Sequence, residues 1–176
     1  MKNNKLIFLT VSFHENRQHE QNFIKSLKKI SILVFDFDFT FEDSYIFNFN
    51  DENMEENEDR VLKFLSEYNK KTNFLIIQGN GISKFVDIFK LDLKLSIIDS
   101  TKCIQYIYPD LTSIRINDIV DVLNLKEDKL YKKLLSKYIE KGYSIEILYL
   151  VLLLKKIKDE TSLDFSELSH IKTISN

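Results

Sequence analysis

The chain has 176 residues, a size that suits one domain, and a formal net charge of −2 that gives no bulk basic signal for nucleic acid. Its 14 phenylalanines and 44% hydrophobic residues can form a substantial core, and its single cysteine excludes a disulfide framework. The longest apolar run, Ile147–Leu154, is far shorter than the ~20 residues that span a bilayer. We therefore expect a soluble, cytoplasmic protein that has no membrane partner.

The N-terminal third of the chain predicts three strands. Lys5–Phe13 is rich in apolar and β-branched residues and predicts the first strand. Ile30–Phe39 predicts the second, and Tyr45–Phe49 alternates apolar with polar residues and predicts a weaker third. Three consecutive strands in the first fifty residues indicate an antiparallel meander.

Two carboxylates lie near the end of the predicted second strand. Asp36 and Asp38 are one residue apart, so an extended chain would point both side chains to the same face. Paired carboxylates of this kind often hold Mg²⁺. Alternating Asp and Phe is equally typical of a half-buried strand with a solvated face. Both interpretations stay open from the residues alone.

The middle of the chain alternates helices and strands. An acidic run, Asp51–Asp59, leads into a helical stripe, and a buried strand follows at Asn73–Gln78. That strand ends in Gly79-Asn80-Gly81, after which a helix is predicted, and Leu95–Asp99 predicts another strand. This arrangement places Asn80 at the carboxyl edge of a sheet, where sites of α/β folds gather. A turn that uses glycine for positive φ explains the same residues.

The C-terminal half is predicted to be helical, with helices at Ser100–Ile107, Asn117–Leu123, Leu130–Ile139 and Ile145–Lys158. Ser144 is a good N-cap for the last of these helices. That helix is apolar nearly all round, so we expect it to be deeply buried. The sequence thus predicts one α/β domain over residues 1–160 and a C-terminal tail over residues 161–176.

From about Glu55 to Lys158, this order of elements resembles the DEDD superfamily of 3′–5′ exonucleases, in particular the proofreading domain of family-B polymerases. The resemblance is strongest over Glu58–Phe89, where a helix pattern is followed by an apolar strand, an Asn-Gly turn and an aspartate: Asp59-Arg60-Val61-Leu62-Lys63-Phe64, Phe74–Gln78, Asn80-Gly81 and Phe85-Val86-Asp87. Further similarity lies in Ile97-Ile98-Asp99-Ser100-Thr101 and in the helix pattern of Ser113–Leu125. It implies a ribonuclease-H-like fold, in which a mixed central sheet with an N-terminal antiparallel meander is flanked by helices.

The resemblance also implies a chemistry, because four carboxylates of that family hold two Mg²⁺ or Mn²⁺ ions. The residues that it points to as catalytic metal ligands are Asp36, Asp38, Asp87 and Glu146. Asn80 and Tyr143 would contact the substrate. The motifs depart from the family pattern, since Val86 separates Phe85 from Asp87 and Tyr143-Ser144-Ile145-Glu146 is one residue short of Tyr-x-x-x-Asp.

Two registers compete for the family's first motif, D-x-E. In one register Asp36-Phe37-Asp38 carries it. In the other, Lys5–Phe13 is the first strand and Thr10-Val11-Ser12 stands in its place. The second register leaves more room for the meander, but hydroxyls do not replace carboxylates around two Mg²⁺ ions. The damaged motifs predict a weakened or inactive relative that binds single-stranded nucleic acid or a replication or repair protein.

Two alternatives stand beside this hypothesis. Phe35-Asp36-Phe37-Asp38-Phe39-Thr40 with Asp43-Ser44 also resembles the first motif of the haloacid-dehalogenase superfamily. That resemblance would make Asp36 a phosphoryl-accepting nucleophile and Asp38 a general acid–base. The other alternative is a protein-interaction domain without catalysis, in which all these carboxylates are merely solvated.

Overall fold

The computed structural model of the chain describes residues 4–14, 26–79 and 81–172. The strands are β1 Lys5–Phe13, β2 Leu27–Asp36, β3 Phe41–Asn48, β4 Phe74–Ile77 and β5 Ser96–Asp99. They form one five-stranded mixed sheet in the order β3-β2-β1-β4-β5. β1, β2 and β3 pair antiparallel, whereas β4 lies parallel to β1 and β5 lies parallel to β4. The predicted α/β class and the antiparallel meander are confirmed.

Seven α-helices are described: α1 Met54–Tyr68, α2 Gly81–Phe89, α3 Ser100–Ile107, α4 Ile116–Ile119, α5 Lys129–Tyr138, α6 Ile145–Glu160 and α7 Phe165–Ser169. Short 3₁₀ turns precede and follow α5. Among the described residues, no helix combines the length and apolarity that crossing a membrane requires.

The sheet separates two hydrophobic cores. Along β1, Ile7 and Leu9 contribute to the core with α1 and α2, while Leu6 and Phe8 contribute to the core with α3–α7. This division follows from the pleat, which points successive side chains to opposite faces. Helices therefore cover both faces of the sheet, and the side with α3–α7 is called the α6 face below.

Helix α6 is the centre of its core, as its sequence predicts. All residues of the run Ile147–Leu154 are buried. Each fully buried leucine of such a run contributes about 1.5–3 kcal/mol. Because this run is held in the core, the first turn of α6 has a fixed position relative to the sheet. That turn carries residues of the candidate site.

The second strand lies three residues earlier than predicted, because it begins at Leu27 and not at Ile30, and ends at Asp36 and not at Phe39. Asp36 Oδ1 accepts hydrogen bonds from the backbone amides of Asp38 (3.0 Å) and Thr40 (2.8 Å). These bonds close a tight turn in which Phe39 has a left-handed φ of 58°. The turn removes the extended geometry on which a shared face for Asp36 and Asp38 depended.

The C-terminal segment packs against this turn. The ring centroids of Phe37 and Phe165 are 4.7 Å apart, so α7 is fixed to the β2–β3 hairpin. Asp164 and Glu167 form a capping box that starts α7. The segment predicted as a tail therefore contains α7, and Phe165 and Leu168 of this helix belong to the α6-face core.

Candidate functional site

The α6 face of the sheet changes from apolar to polar along β1. Leu6 and Phe8 are buried in the core, and the next two residues on the same face are Thr10 and Ser12. β2 repeats the change in the opposite direction, since Ser31 pairs with Thr10 and Lys29 pairs with Ser12. One end of the α6 face therefore carries four polar side chains on two neighbouring strands.

A pocket of about 280 Å³ lies over this polar end. Its size is close to the lower limit of the ~300–1,000 Å³ that is common for small-molecule sites. The residues that line it are Leu9, Thr10, Val11, Ser12, Lys29, Ser31, Ile77, Gln78, Ser144 and Glu146. They come from β1, β2, the end of β4 and the start of α6, so the pocket joins elements that are distant in sequence.

Hydrogen bonds connect the two sides of the pocket. The hydroxyl oxygens of Thr10 and Ser144 are 3.1 Å apart. Ser144 occupies the N-cap position of α6, as predicted, but its side chain makes no capping hydrogen bond. Its hydroxyl contacts β1 instead. The amide of Asn117 donates to Glu146 Oε1 at 3.0 Å, which orients that carboxylate from α4.

The pocket wall carries charges of both signs. Lys29 supplies an ammonium group, and Glu146 supplies a carboxylate in the first turn of α6. Lys29 Nζ donates to the backbone carbonyl of Gly142 at 2.9 Å. Gly142 has a φ of +84°, which glycine adopts without strain, so Lys29 contacts the turn that leads into α6.

Two hydroxyls of the wall have no hydrogen-bond partner within the described part of the chain, those of Ser12 and Ser31. Ser31 is only 1% exposed. A buried hydroxyl without a partner costs about 1–3 kcal/mol. A polar group that entered the pocket would therefore gain free energy by bonding to either hydroxyl. This observation points to a polar ligand and not to an apolar one.

Asp36 and Asp38 lie at the other end of the sheet. Asp36 pairs with Lys5, the first residue of β1, whereas Thr10 is the first residue of β1 with a polar side chain in the pocket wall. Five residues of strand separate these positions, a distance of about 16 Å. Metal ions of a two-metal site are only about 3.5–4 Å apart. The structure thus does not bring Asp36 and Asp38 together with Glu146.

Asp87 and Tyr143 also lie apart from the pocket wall. Phe85 is fully buried under α2, and Asp87, two residues later on that helix, is exposed. Tyr143 is buried, and its ring contacts that of Tyr138 edge to face at 5.7 Å. Burial raises the pKa of Tyr143, and a side-chain hydrogen bond with Ser44 opposes that shift. Asn80, the other predicted substrate contact, lies outside the described residues.

Asp99, which belongs to the motif after β4, has a structural role. Its Oδ1 accepts hydrogen bonds from the backbone amides of Gly79 (3.1 Å) and Thr101 (2.9 Å). It thereby caps α3 and holds the turn after β4, where Gly79 has a φ of +62°. The turn that precedes Asn80 is thus fixed to the neighbouring strand.

The donor set of the pocket does not fit two divalent cations. β1 contributes the hydroxyls of Thr10 and Ser12 to the wall, which otherwise holds one carboxylate and one ammonium group, whereas divalent cations such as Mg²⁺ require several carboxylate ligands. Across residues 4–14, 26–79 and 81–172, no cluster of three or more His, Cys, Asp or Glu is placed to hold a metal. The residues that line this pocket therefore do not supply the ligands of a two-metal centre.

Sequence reasoning missed Lys29, Ser31 and Gln78 as pocket residues. Ser31 is the polar residue within the otherwise apolar run Ile30–Phe35. A polar residue inside a buried strand is a signal from which a site on this strand could have been predicted. The pairing of Ser31 with Thr10 and of Lys29 with Ser12 depends on the register of two antiparallel strands. Only that register shows that the polar positions of both strands meet.

Comparisons with protein-family models, with curated proteins and with solved structures find no match. The fold and the site define this chain as an α/β domain with a polar pocket at one end of a five-stranded mixed sheet.

Proposed function

We propose that this chain is an exonuclease-like domain of the ribonuclease-H-like type that binds single-stranded nucleic acid in the polar pocket without cleaving it. The observation that carries the proposal is the position of Thr10 and Ser12. These two residues come from the strand next to β4 and line the pocket together with Glu146. In the DEDD resemblance, this is the place of the first carboxylate motif.

The strand arrangement supports the register in which β1 is the first strand of the fold. β1 pairs with β4, the strand that leads to the Gly79 turn, and β2 lies on its other side. In that register the D-x-E motif corresponds to Thr10-Val11-Ser12. Replacing carboxylates by hydroxyls removes the ligands for Mg²⁺ or Mn²⁺ but leaves a polar surface that can bond to sugars and phosphates.

The pocket's chemistry suits the end of a single strand. Lys29 offers a cation for a phosphate, while Ser12 and Ser31 offer free hydroxyls. The volume of about 280 Å³ suits roughly one nucleotide and not a duplex. A replication or repair enzyme remains the proposed protein partner, with the pocket presenting the strand beside it.

The test is binding of a fluorescently labelled single-stranded oligonucleotide, as DNA and as RNA, measured by anisotropy without divalent cations. Lys29→Met removes the ammonium group from the pocket and keeps an apolar stem. Lys28→Met is the matched control, because Lys28 is the adjacent residue of β2 and its side chain is exposed. We expect Lys29→Met to weaken binding about tenfold, and Lys28→Met to change it less than twofold.

A parallel assay with Mg²⁺ and with Mn²⁺ measures cleavage of the same oligonucleotides. We expect no metal-dependent degradation. Degradation that is lost in Asp36→Ala, or absence of oligonucleotide binding by the natural chain, would overturn the proposal.

A further inference from the structure

Helix α5 and the 3₁₀ turn after it carry a strong excess of positive charge. Residues 129–141 hold five lysines and a single acidic residue, Glu140, in a chain whose net charge is −2. All five lysines are exposed, and we call them together the lysine ridge: Lys129, Lys132, Lys133, Lys137 and Lys141.

The ridge follows from the way α5 packs. Leu134 and Tyr138 are buried against the α6-face core, so the opposite side of the helix faces solvent. Lys129, Lys133 and Lys137 are spaced four residues apart and are all exposed, so they form one row along the helix. Successive ammonium groups are thus offset by about 6 Å along the helix axis. A row of this kind matches a linear polyanion better than a single compact anion.

The ridge leads to the polar pocket. α5 ends at Tyr138, and the following 3₁₀ turn ends at Lys141. The next residue is Gly142, whose carbonyl accepts the hydrogen bond from Lys29 of the pocket wall. Ser144, two residues further on, lines the pocket itself. The basic surface and the pocket are therefore connected through one short turn.

Aromatic contacts hold one lysine of the row in place. Lys137 Nζ lies 4.8 Å from the ring centroid of Phe41 and 5.7 Å from that of Tyr138. Such cation–π contacts contribute about 0.5–1 kcal/mol at exposed sites. The ammonium group nearest to the pocket end of α5 is thus oriented, which lowers the entropy that it loses when a phosphate binds.

We propose that the lysine ridge binds the phosphate backbone of the single strand whose end occupies the pocket. This inference rests on the proposed function, and it assigns the path of the strand outside the pocket. The contacts are ionic and independent of base sequence, so they would add affinity and salt dependence without adding sequence specificity.

The experiment compares two double variants of the full chain by oligonucleotide anisotropy over a range of salt concentrations. Lys129→Gln with Lys133→Gln removes two charges from the ridge. Lys70→Gln with Lys71→Gln removes two charges from an exposed turn before β4. This turn lies far from the pocket, because the neighbouring Asn73 accepts a hydrogen bond from the backbone amide of Lys5, at the opposite end of β1. Glutamine and lysine have similar helix propensities, so the exchange leaves α5 intact.

We expect the ridge variant to bind about tenfold more weakly at low salt, with a slope of log affinity against log salt smaller by about 1.4, the value for two lost phosphate contacts. The Lys70 and Lys71 variant should keep the natural slope. Equal behaviour of the two variants, in the presence of normal binding by the natural chain and weaker binding by Lys29→Met, would overturn the ridge alone. Absence of binding by the natural chain would overturn the proposed function and the ridge together.

Discussion

The hydroxyl oxygen of Thr10 on β1 lies 3.1 Å from the hydroxyl oxygen of Ser144, the residue that precedes α6. The contact joins residues that are 134 positions apart in sequence. It ties the sheet to its most buried helix at the wall of the pocket. It also places a neutral pair at a position where the DEDD resemblance would require a metal ligand.

The first prediction concerns the stability of this pair. Thr10→Val keeps the shape of the side chain and leaves the Ser144 hydroxyl without its partner. We expect the free energy of unfolding to fall by about 1 kcal/mol, measured by urea denaturation. Thr112→Val, at an exposed position, is the control. An equal effect of the two substitutions would show that the pair contributes nothing to stability.

The second prediction concerns metal binding. Thr10→Asp with Ser12→Glu introduces a D-x-E pattern next to Glu146, so three carboxylates would line the pocket. We expect this variant to bind Mn²⁺ in a calorimetric titration, and we expect the further change Glu146→Gln to weaken that binding. A Thr10→Asp, Ser12→Glu variant that binds Mn²⁺ no better than the natural chain would argue against the proposed correspondence between β1 and the first exonuclease motif.

The third prediction separates structural from catalytic roles for Asp36. Its carboxylate accepts two backbone amides of the β2–β3 turn, and hydrogen bonds to charged groups contribute about 1.5–3 kcal/mol. Asp36→Ala should therefore lower the free energy of unfolding by about 2 kcal/mol and leave oligonucleotide binding unchanged. Asp38→Ala, at an exposed position, should change stability by less than about 0.5 kcal/mol.

The same pair of variants tests the phosphatase alternative, with a phosphate monoester as substrate and Mg²⁺ present. Lys5 pairs with Asp36 across the strands, but its ammonium group forms an ion pair with Glu42. Phosphatase activity that the natural chain keeps after unfolding and refolding, and that Asp36→Ala lacks, would favour the haloacid-dehalogenase hypothesis.

The fourth prediction concerns pH. The pKa of the Cys103 thiol is raised to about 12, mainly because the thiol is buried and to a lesser extent because of the negative charge of Asp99. The unfolded thiol has a pKa of about 8.5. The folded chain therefore keeps a proton that the unfolded chain loses, and stability falls as the pH rises above about 8.5. Below that pH the contribution is fully present.

The measurement compares the free energy of unfolding at pH 7 and at pH 9.5 for the natural chain and for Cys103→Ala. The natural chain should lose about 1.4 kcal/mol more than the variant over this interval. In the folded state at pH 8, the thiol should resist alkylation until the chain is unfolded, since Cys103 is only 1% exposed. Rapid alkylation of the folded chain would contradict the buried position.

Elements with a strong local pattern were predictable from the sequence. β1 begins and ends at Lys5 and Phe13 as predicted, and α3 spans Ser100–Ile107 as predicted. The buried run of α6 was also foreseen, because eight consecutive apolar residues leave no solvated face. In each case the signal lies within the element itself and needs no knowledge of its neighbours.

The predictions from sequence were wrong or incomplete where side-chain hydrogen bonds determine the end of an element, or where the pairing of distant strands determines which residues meet. β2 ends early because the Asp36 carboxylate captures two backbone amides, which compete with the strand. α4 ends at Ile119 and not at Leu123; turns follow it up to Asn124, which has a left-handed φ of 53°. The pocket combines β1, β2, β4 and α6, and the sequence does not give their register.

Helix α6 has a consequence for how the chain reaches its fold. Ile147–Leu154 contains no charge, proline or glycine, so before burial it has the composition of an aggregation-prone segment. Its shelter comes from β1 and β2, which precede it by more than a hundred residues, and from α3–α5. During synthesis those elements emerge first and can receive the helix as it appears.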